Sequence, residues 1–180
     1  MAILRGFRIG IAIGALGLLA AGPPESIPDL NRAVLDFARA SIGKAVGDGQ
    51  CTSLAVAALQ NAGARRPVFN GDRDADYEWG ELVATLTPDD HRAAAILPGD
   101  LIQCRDVRIV TVRKTGRSIH TRTLIFPHHT AIVAAVSGPV VKVLHQNFGN
   151  GPQQRLVASE SLRLDDLKAG TLWVYRPVAE

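Results

Sequence analysis

Cysteine is scarce in this chain: there are two, Cys51 and Cys104, with no second cysteine a few residues from either. That spacing withholds the paired thiolates of a structural zinc site and allows one disulfide at most. The chain also lacks a sustained excess of charge. Its formal net charge is +3, but Arg5 and Arg8 lie in the first 22 residues, which hold no Asp or Glu. Setting those two aside leaves 18 Lys and Arg against 17 acids. A nearly neutral remainder gives no electrostatic case for nucleic-acid binding. No uncharged apolar run reaches the ~20 residues of a membrane-spanning helix, and no internal repeat or low-complexity segment is visible.

What is present at the start reads as a secretory signal. Arg5 and Arg8 form a short basic region, Ile9 to Ala21 is uncharged and apolar, and Ala20-Ala21-Gly22 offers small residues for cleavage before Pro23-Pro24. Residues 1–22 are expected to be a signal peptide or, uncleaved, a short anchor. No cysteine there can carry a lipid. The expected location is secreted or periplasmic, with no integral span once the signal is removed. Residues 23–180 suffice for one domain with one core, and 47% of the chain is apolar.

Helical spacing runs through Leu30, Val34, Phe37 and Ala38, with Asp29 as N-cap and Gly43 as stop. A second helix is expected from Cys51 to Ala62, ending at Gly63, with Leu54, Ala55, Ala58 and Leu59 on its apolar face. Arg65 to Ala94 holds no sustained period; it carries an acidic loop, Gly71 to Asp76, and a short helix is expected over Glu81 to Leu86. After the turn signal Pro98-Gly99-Asp100 the chain becomes strand-like, over Leu101–Cys104, Val107–Val112, Ile119–Ile125, Thr130–Val136, Val140–Leu144 and Thr171–Tyr175. Helices followed by antiparallel strands predict an α+β fold, with N-terminal helices on one side of a small sheet.

Cys51 follows a glycine-rich turn, Gly47-Asp48-Gly49-Gln50, and opens the second helix. A thiol there meets unpaired backbone N–H groups and the positive end of the dipole, which favour the thiolate. Cys104 lies in a short strand and reads as a core or edge residue. A nucleophilic cysteine needs a base, and the base needs an orienting group. Of five histidines, His91 and His120 read as surface residues. His129 opens a strand after Pro127, and the next strand runs into His145-Gln146-Asn147. If Ser137-Gly138-Pro139 is a tight turn, hairpin geometry brings His129 and His145 to one edge of the sheet. Alternation puts His145 and Asn147 on one face and Gln146 on the other. Either His145 or Asn147 can then orient His129. His128 points away from that face.

Gly49-Gln50-Cys51-Thr52, Pro98-Gly99-Asp100-Leu101-Ile102, His129-Thr130-Ala131-Ile132-Val133 and His145-Gln146-Asn147, in that order, resemble the CHAP family of cysteine, histidine-dependent amidohydrolases and peptidases, related to NlpC-type cell-wall peptidases. The resemblance implies a papain-like α+β core and cleavage of amide bonds in peptidoglycan. It assigns Cys51 as nucleophile and His129 as base. CHAP enzymes usually carry glutamate where this chain has His145; NlpC-type relatives often use histidine.

Gln50 could lend its side chain to an oxyanion beside the Cys51 N–H. Tyr77 and Trp79 line a substrate groove or pack in the core. Asp100 reads as a turn former. The basic segment Arg105 to Arg122 reads as a solvated ribbon. Cys51, His129 and His145 could also ligate zinc, but the cysteine spacing argues against it, and no cofactor or metal is expected. Partners are a peptidoglycan or peptide substrate. Two other classes share the fold: a non-catalytic exported binding domain and a papain-like acyltransferase.

Overall fold

The computed structural model describes residues 26–69 and 77–180. The expected signal peptide and the acidic loop lie outside the described residues. Two helices come first, α1 (Asp29–Ala40) and α2 (Cys51–Ala62). Eight strands follow: β1 (Val68–Phe69), β2 (Tyr77–Glu78), β3 (Glu81–Leu86), β4 (Leu101–Thr115), β5 (Ser118–Ser137), β6 (Val140–His145), β7 (Ala158–Arg163) and β8 (Leu167–Arg176). β1 and β2 pair with each other, and the other six form one antiparallel sheet in the order β3-β8-β4-β5-β6-β7. The fold is α+β. Among the described residues, no helix is long and apolar enough to cross a membrane.

The central strands are apolar on both faces because both faces are covered. Leu101, Ile132 and Leu144 pack with Val34, Leu35, Leu54 and Leu59 of the helices. Their alternate neighbours Ile102, Val133 and Val143 pack with Val107, Ile109, Leu124, Phe126, Leu162 and Leu167, on the side toward which the sheet curls. A strand buried on both faces loses the two-residue alternation of a half-exposed one.

Three expectations change. Glu81–Leu86 is an edge strand paired with β8, not a helix; β-branched Val83 and Thr85 suit that pairing. Asp29 is the first helical residue, and Pro28 occupies the cap. The four separate strands expected between Leu101 and Val136 are two long ones. Pro127 does not end a strand: it lies opposite Asp106, and the β4–β5 ladder keeps its register from Arg105↔His128 to Val107↔Phe126 on either side. Asp106 has φ 53° and lies in a bulge where β4 shifts register against β8, between Arg105 and Arg108. Gly170 faces this bulge: a Cβ there would sit 2.4 Å from the Asp106 backbone.

The Pro98-Gly99-Asp100 turn fastens α1 to the sheet. A Cβ on Gly99 would lie 2.1 Å from the Asn31 carbonyl oxygen. Asp100 is fully buried and accepts hydrogen bonds from Asn31 Nδ2 (2.7 Å), the Leu97 N–H (2.8 Å) and Arg176 Nε and Nη2 (3.1 Å each). Asp100 is thus a structural anchor. Asp100→Ala leaves Arg176, Asn31 and the Leu97 N–H short of their acceptor and should cost about 3 kcal/mol, the low end for breaking a buried pair, since Arg176 is partly exposed. Urea unfolding of the variant checks this; an unchanged midpoint contradicts the anchoring role.

Candidate active site

α2 presents Cys51 as its first residue. The preceding Gln50 has extended backbone (φ −80°, ψ 152°) and gives the helix no side-chain cap, and the first turn holds no acid. A cap is worth ~1 kcal/mol. Burying Leu54 and Leu59 is worth roughly 1.5–3 kcal/mol each, so packing holds this helix without one. The helix start therefore keeps its positive end beside the Cys51 sulfur.

The turn before Cys51 is gripped from the sheet by Gln146. Its Oε1 accepts from the Val46 N–H (3.0 Å), and its Nε2 donates to the carbonyls of Val46 (2.8 Å) and Gln50 (2.7 Å). Asp48 braces the turn from the other side, accepting from the Gln50 N–H (3.0 Å) and the Ser53 hydroxyl (2.5 Å). The Ser53 hydroxyl, foremost, holds the Asp48 carboxyl below its usual range.

His129 and His145 lie at the end of the β5–β6 hairpin, as its geometry predicts. His129 Nε2 and His145 Nδ1 are 2.9 Å apart, with the rings nearly perpendicular at 88°. Both are buried, at 6% and 2% exposure. Two phenyl rings complete the cluster. Phe126 stacks on His129 (centroids 5.1 Å, 29°), and Phe148 lies over His145 (5.0 Å, 31°). Burial pushes His129 down to about 3 from its ordinary 6.5, with His145 adding to the shift, and pushes His145 down to about 4. Both rings are neutral at ordinary pH.

Cys51 and His129 line one cavity of ≈ 230 Å³, together with Gln50, Thr52, Gln103, His128, Thr130 and Asn147. Among the sequence candidates, Cys51, His129, Gln50 and Asn147 therefore converge, and His145 meets His129 from behind. Asn147 does not hold the His129 ring: its Nδ2 donates to Gln50 Oε1 at 2.6 Å. Its backbone is left-handed (φ 59°), which turns the chain out of the strand and breaks the alternation that put it level with His145. Trp79 does not line the cavity. It is 1% exposed, packs in the helix-side core, and its Nε1 donates to Gln103 Oε1 at 3.0 Å. His128, expected on the far face, lines the cavity as well.

Sequence reasoning passed over Gln103, Thr130, Phe126 and Phe148, and it assigned Gln146 only a direction. The signal for Gln146 was that same alternation, which aims it away from the histidines and, in the structure, at the α2 entrance. Cys51 and Cys104 are both free. Cys104 sits directly opposite His129 in the β4–β5 ladder and is 2% exposed. Burial, with the Cys51 charge adding, pushes its thiol well above the ordinary range. Among the described residues, no group of three or more His, Cys, Asp or Glu side chains could hold a metal ion.

A cysteine at a helix start beside a buried histidine on an antiparallel sheet defines the cysteine proteinase class of folds. Residues 29–180 match the family model described as the AIM3/BBC1 Cysteine proteinase-fold domain. The chain belongs to that family. No curated protein matches it. A solved structure described as "The crystal structure of Ly7917" is similar at a TM-score of 0.43 and 18% identity, over 81% of this chain. This chain spans 62% of the length of that one.

Two outcomes are expected. Iodoacetamide should modify half-exposed Cys51 much faster than Cys104 near pH 6, as read by peptide mass mapping; equal rates contradict the site. The second concerns stability. Below about pH 6.5 the unfolded imidazoles bind protons, while the folded ones stay neutral until about 4 and about 3. The unfolded state then holds more protons, so this stability is full above 6.5 and lost as pH falls. The urea midpoint should drop between about pH 6.5 and 5, before carboxylates titrate. A His129→Gln, His145→Gln double variant should show a flatter slope; an unchanged slope contradicts the neutral pair.

Proposed function

We propose that this chain is a cysteine hydrolase that opens an amide bond through an acyl-enzyme on Cys51. The observation that carries the reading is the buried His129–His145 hydrogen bond beside the cavity that Cys51 lines. With His145 Nδ1 as acceptor, His129 carries its proton on Nε2 and keeps a bare Nδ1. That nitrogen takes the Cys51 proton as the sulfur attacks the carbonyl carbon. The C=O electron pair moves onto oxygen, and the tetrahedral species collapses. The C–N bond breaks, and the proton passes from His129 to the leaving amine. A water, deprotonated by the same nitrogen, then attacks the thioester; the C–S bond breaks, the proton returns to the sulfur, and the carboxylic acid leaves and ionises. His145 holds the ring throughout. A neutral acceptor stabilises the transient imidazolium less than a carboxylate does.

In this reading the Cys51 backbone N–H and the Gln50 side-chain amide meet the developing oxyanion, which their shared place on the cavity wall supports. Asn147 fixes that amide through Gln50 Oε1. For the substrate, the resemblance to CHAP and NlpC-type enzymes supports an amide in peptidoglycan, either within the stem peptide or at its link to the glycan. The basic, apolar first segment supports export to where that polymer lies.

The experiment is turnover of muropeptides and of a lipid acyl donor, side by side, by the wild type and its variants. Cys51→Ala should reduce hydrolysis to background, and His129→Ala should lower kcat/KM by about 10²–10⁴. His145→Ala should cost less than His129→Ala, and His145→Asn should recover part of the loss. Turnover that survives Cys51→Ala contradicts the mechanism, and acyl transfer without hydrolysis contradicts the reaction type.

A further inference from the structure

β4 and β5 run on past the rest of the sheet. β8 leaves β4 at Ile109↔Leu167, and β6 pairs with β5 only from Ile132 onward. From Val110 to Thr115 and from Ser118 to Thr123 the two strands pair only with each other. One face of this ribbon is tied to the body of the domain. Arg122 Nη1 donates to Glu160 Oε1 (2.9 Å), and the Thr111 hydroxyl donates to Asp166 Oδ2 (2.7 Å). The opposite face is exposed. Its register sets Arg108 opposite Ile125, Val112 opposite Thr121 and Lys114 opposite Ile119, so these six side chains share it. Val112, Ile119 and Ile125 are 60%, 68% and 57% exposed. A ribbon built only for water puts polar residues on its open face. This one puts β-branched apolar residues there, between cations. The charge is as one-sided. From Val107 to Ser159 the chain holds seven Lys and Arg and no Asp or Glu, and five of the seven fall between Arg108 and Arg122.

We infer that this ribbon is a docking surface for an anionic lipid bilayer. Val112, Ile119 and Ile125 enter the boundary between head groups and acyl chains, and Arg108, Lys114 and Arg117 meet the lipid phosphates. The two halves of the pattern select that partner together. Cations alone fit any polyanion, but a soluble polyanion has no apolar layer to receive three aliphatic side chains. Nucleic acid is met by side chains that hydrogen-bond to base edges or stack on bases, and this face holds no aromatic ring. A second copy of the chain would set like charges against each other on facing ribbons. A bilayer surface supplies both layers, anionic phosphates outside and hydrocarbon within. Long Lys and Arg stems reach back to the phosphates while the aliphatic side chains go deeper. None of these side chains lines the Cys51 cavity, and the inference does not rest on the hydrolase reading.

The test is co-sedimentation of the full chain with vesicles of phosphatidylglycerol and phosphatidylcholine in equal parts, against pure phosphatidylcholine. The neutral vesicles read what the apolar first segment contributes, since it is common to every variant. The full chain should bind the anionic vesicles more tightly, and added salt should shrink the difference. Lys114→Gln with Arg117→Gln should weaken that binding about thirtyfold, the share of two cations near an anionic surface. Val112→Ser with Ile119→Ser keeps every charge and should weaken it about tenfold or more. Both variants should leave iodoacetamide alkylation of Cys51 near the wild type, which reports an intact fold. In Ile119→Trp, brominated lipid should quench the added indole, because that side chain sits among acyl chains. No preference for anionic vesicles overturns the proposal. A loss in the charge variant with none in the serine variant also overturns it, and marks a soluble polyanion as the partner. So does a dimer in sedimentation velocity without lipid that the serine variant abolishes.

Discussion

The hydrogen bond between His129 and His145 is the contact on which the site depends. It needs two imidazoles, on adjacent strands, at one end of one hairpin, with their rings nearly at right angles. Most of the sheet can be understood as what makes that possible. The β5–β6 register places Ile132 opposite Leu144, and the strand ends carry His129 and His145 toward each other from there. β5 keeps its pairing with β4 through Pro127, so His129 sits within a long strand and not at a loose end. Phe126 and Phe148 then close the rings off from water. An imidazole pair in that setting stays uncharged, and an uncharged pair has to settle which nitrogen carries which proton.

Cys51 is held by a separate set of bonds. Gln146 leaves the same strand end as His145 but points to the opposite side, where it grips the turn that leads into α2. One tripeptide, His145-Gln146-Asn147, thus touches His129, the turn that leads into Cys51 and the Gln50 amide. Strand alternation places the first two, and the left-handed backbone at Asn147 places the third. Such an arrangement couples the helix start to the sheet through side-chain hydrogen bonds. Burial of Leu54 and Leu59 supplies the rest, and it leaves the start of α2 uncapped.

Much of this was legible in the sequence, for physical reasons. The Gly49-Gln50-Cys51 turn with an apolar face behind it places α2, and Gly63 ends it in a left-handed C-cap with φ 66°. The Ser137-Gly138-Pro139 turn forces the hairpin and brings the two histidines together. What was not legible depends on partners far along the chain. Glu81–Leu86 has no decisive period, and only pairing with β8 makes it a strand. Pro127 reads as a strand break until the continuous pairing of β5 with β4 is known. Trp79 reads equally as groove or core until Gln103 is placed beside its N–H. Asn147 fits alternation on paper, and its positive φ takes it elsewhere. In each case a local rule was overridden by a tertiary contact.

The central claim is that His129 is a neutral base with its proton on Nε2 and its Nδ1 bare toward the cavity. Nitrogen-15 NMR of the histidine rings reads this directly, because protonated and bare ring nitrogens differ widely in shift. The account predicts that between pH 5 and 8 His129 shows a protonated Nε2 and an unprotonated Nδ1, and that neither His129 nor His145 becomes an imidazolium until the pH nears 4. A proton on His129 Nδ1, or an imidazolium at pH 7, would contradict it.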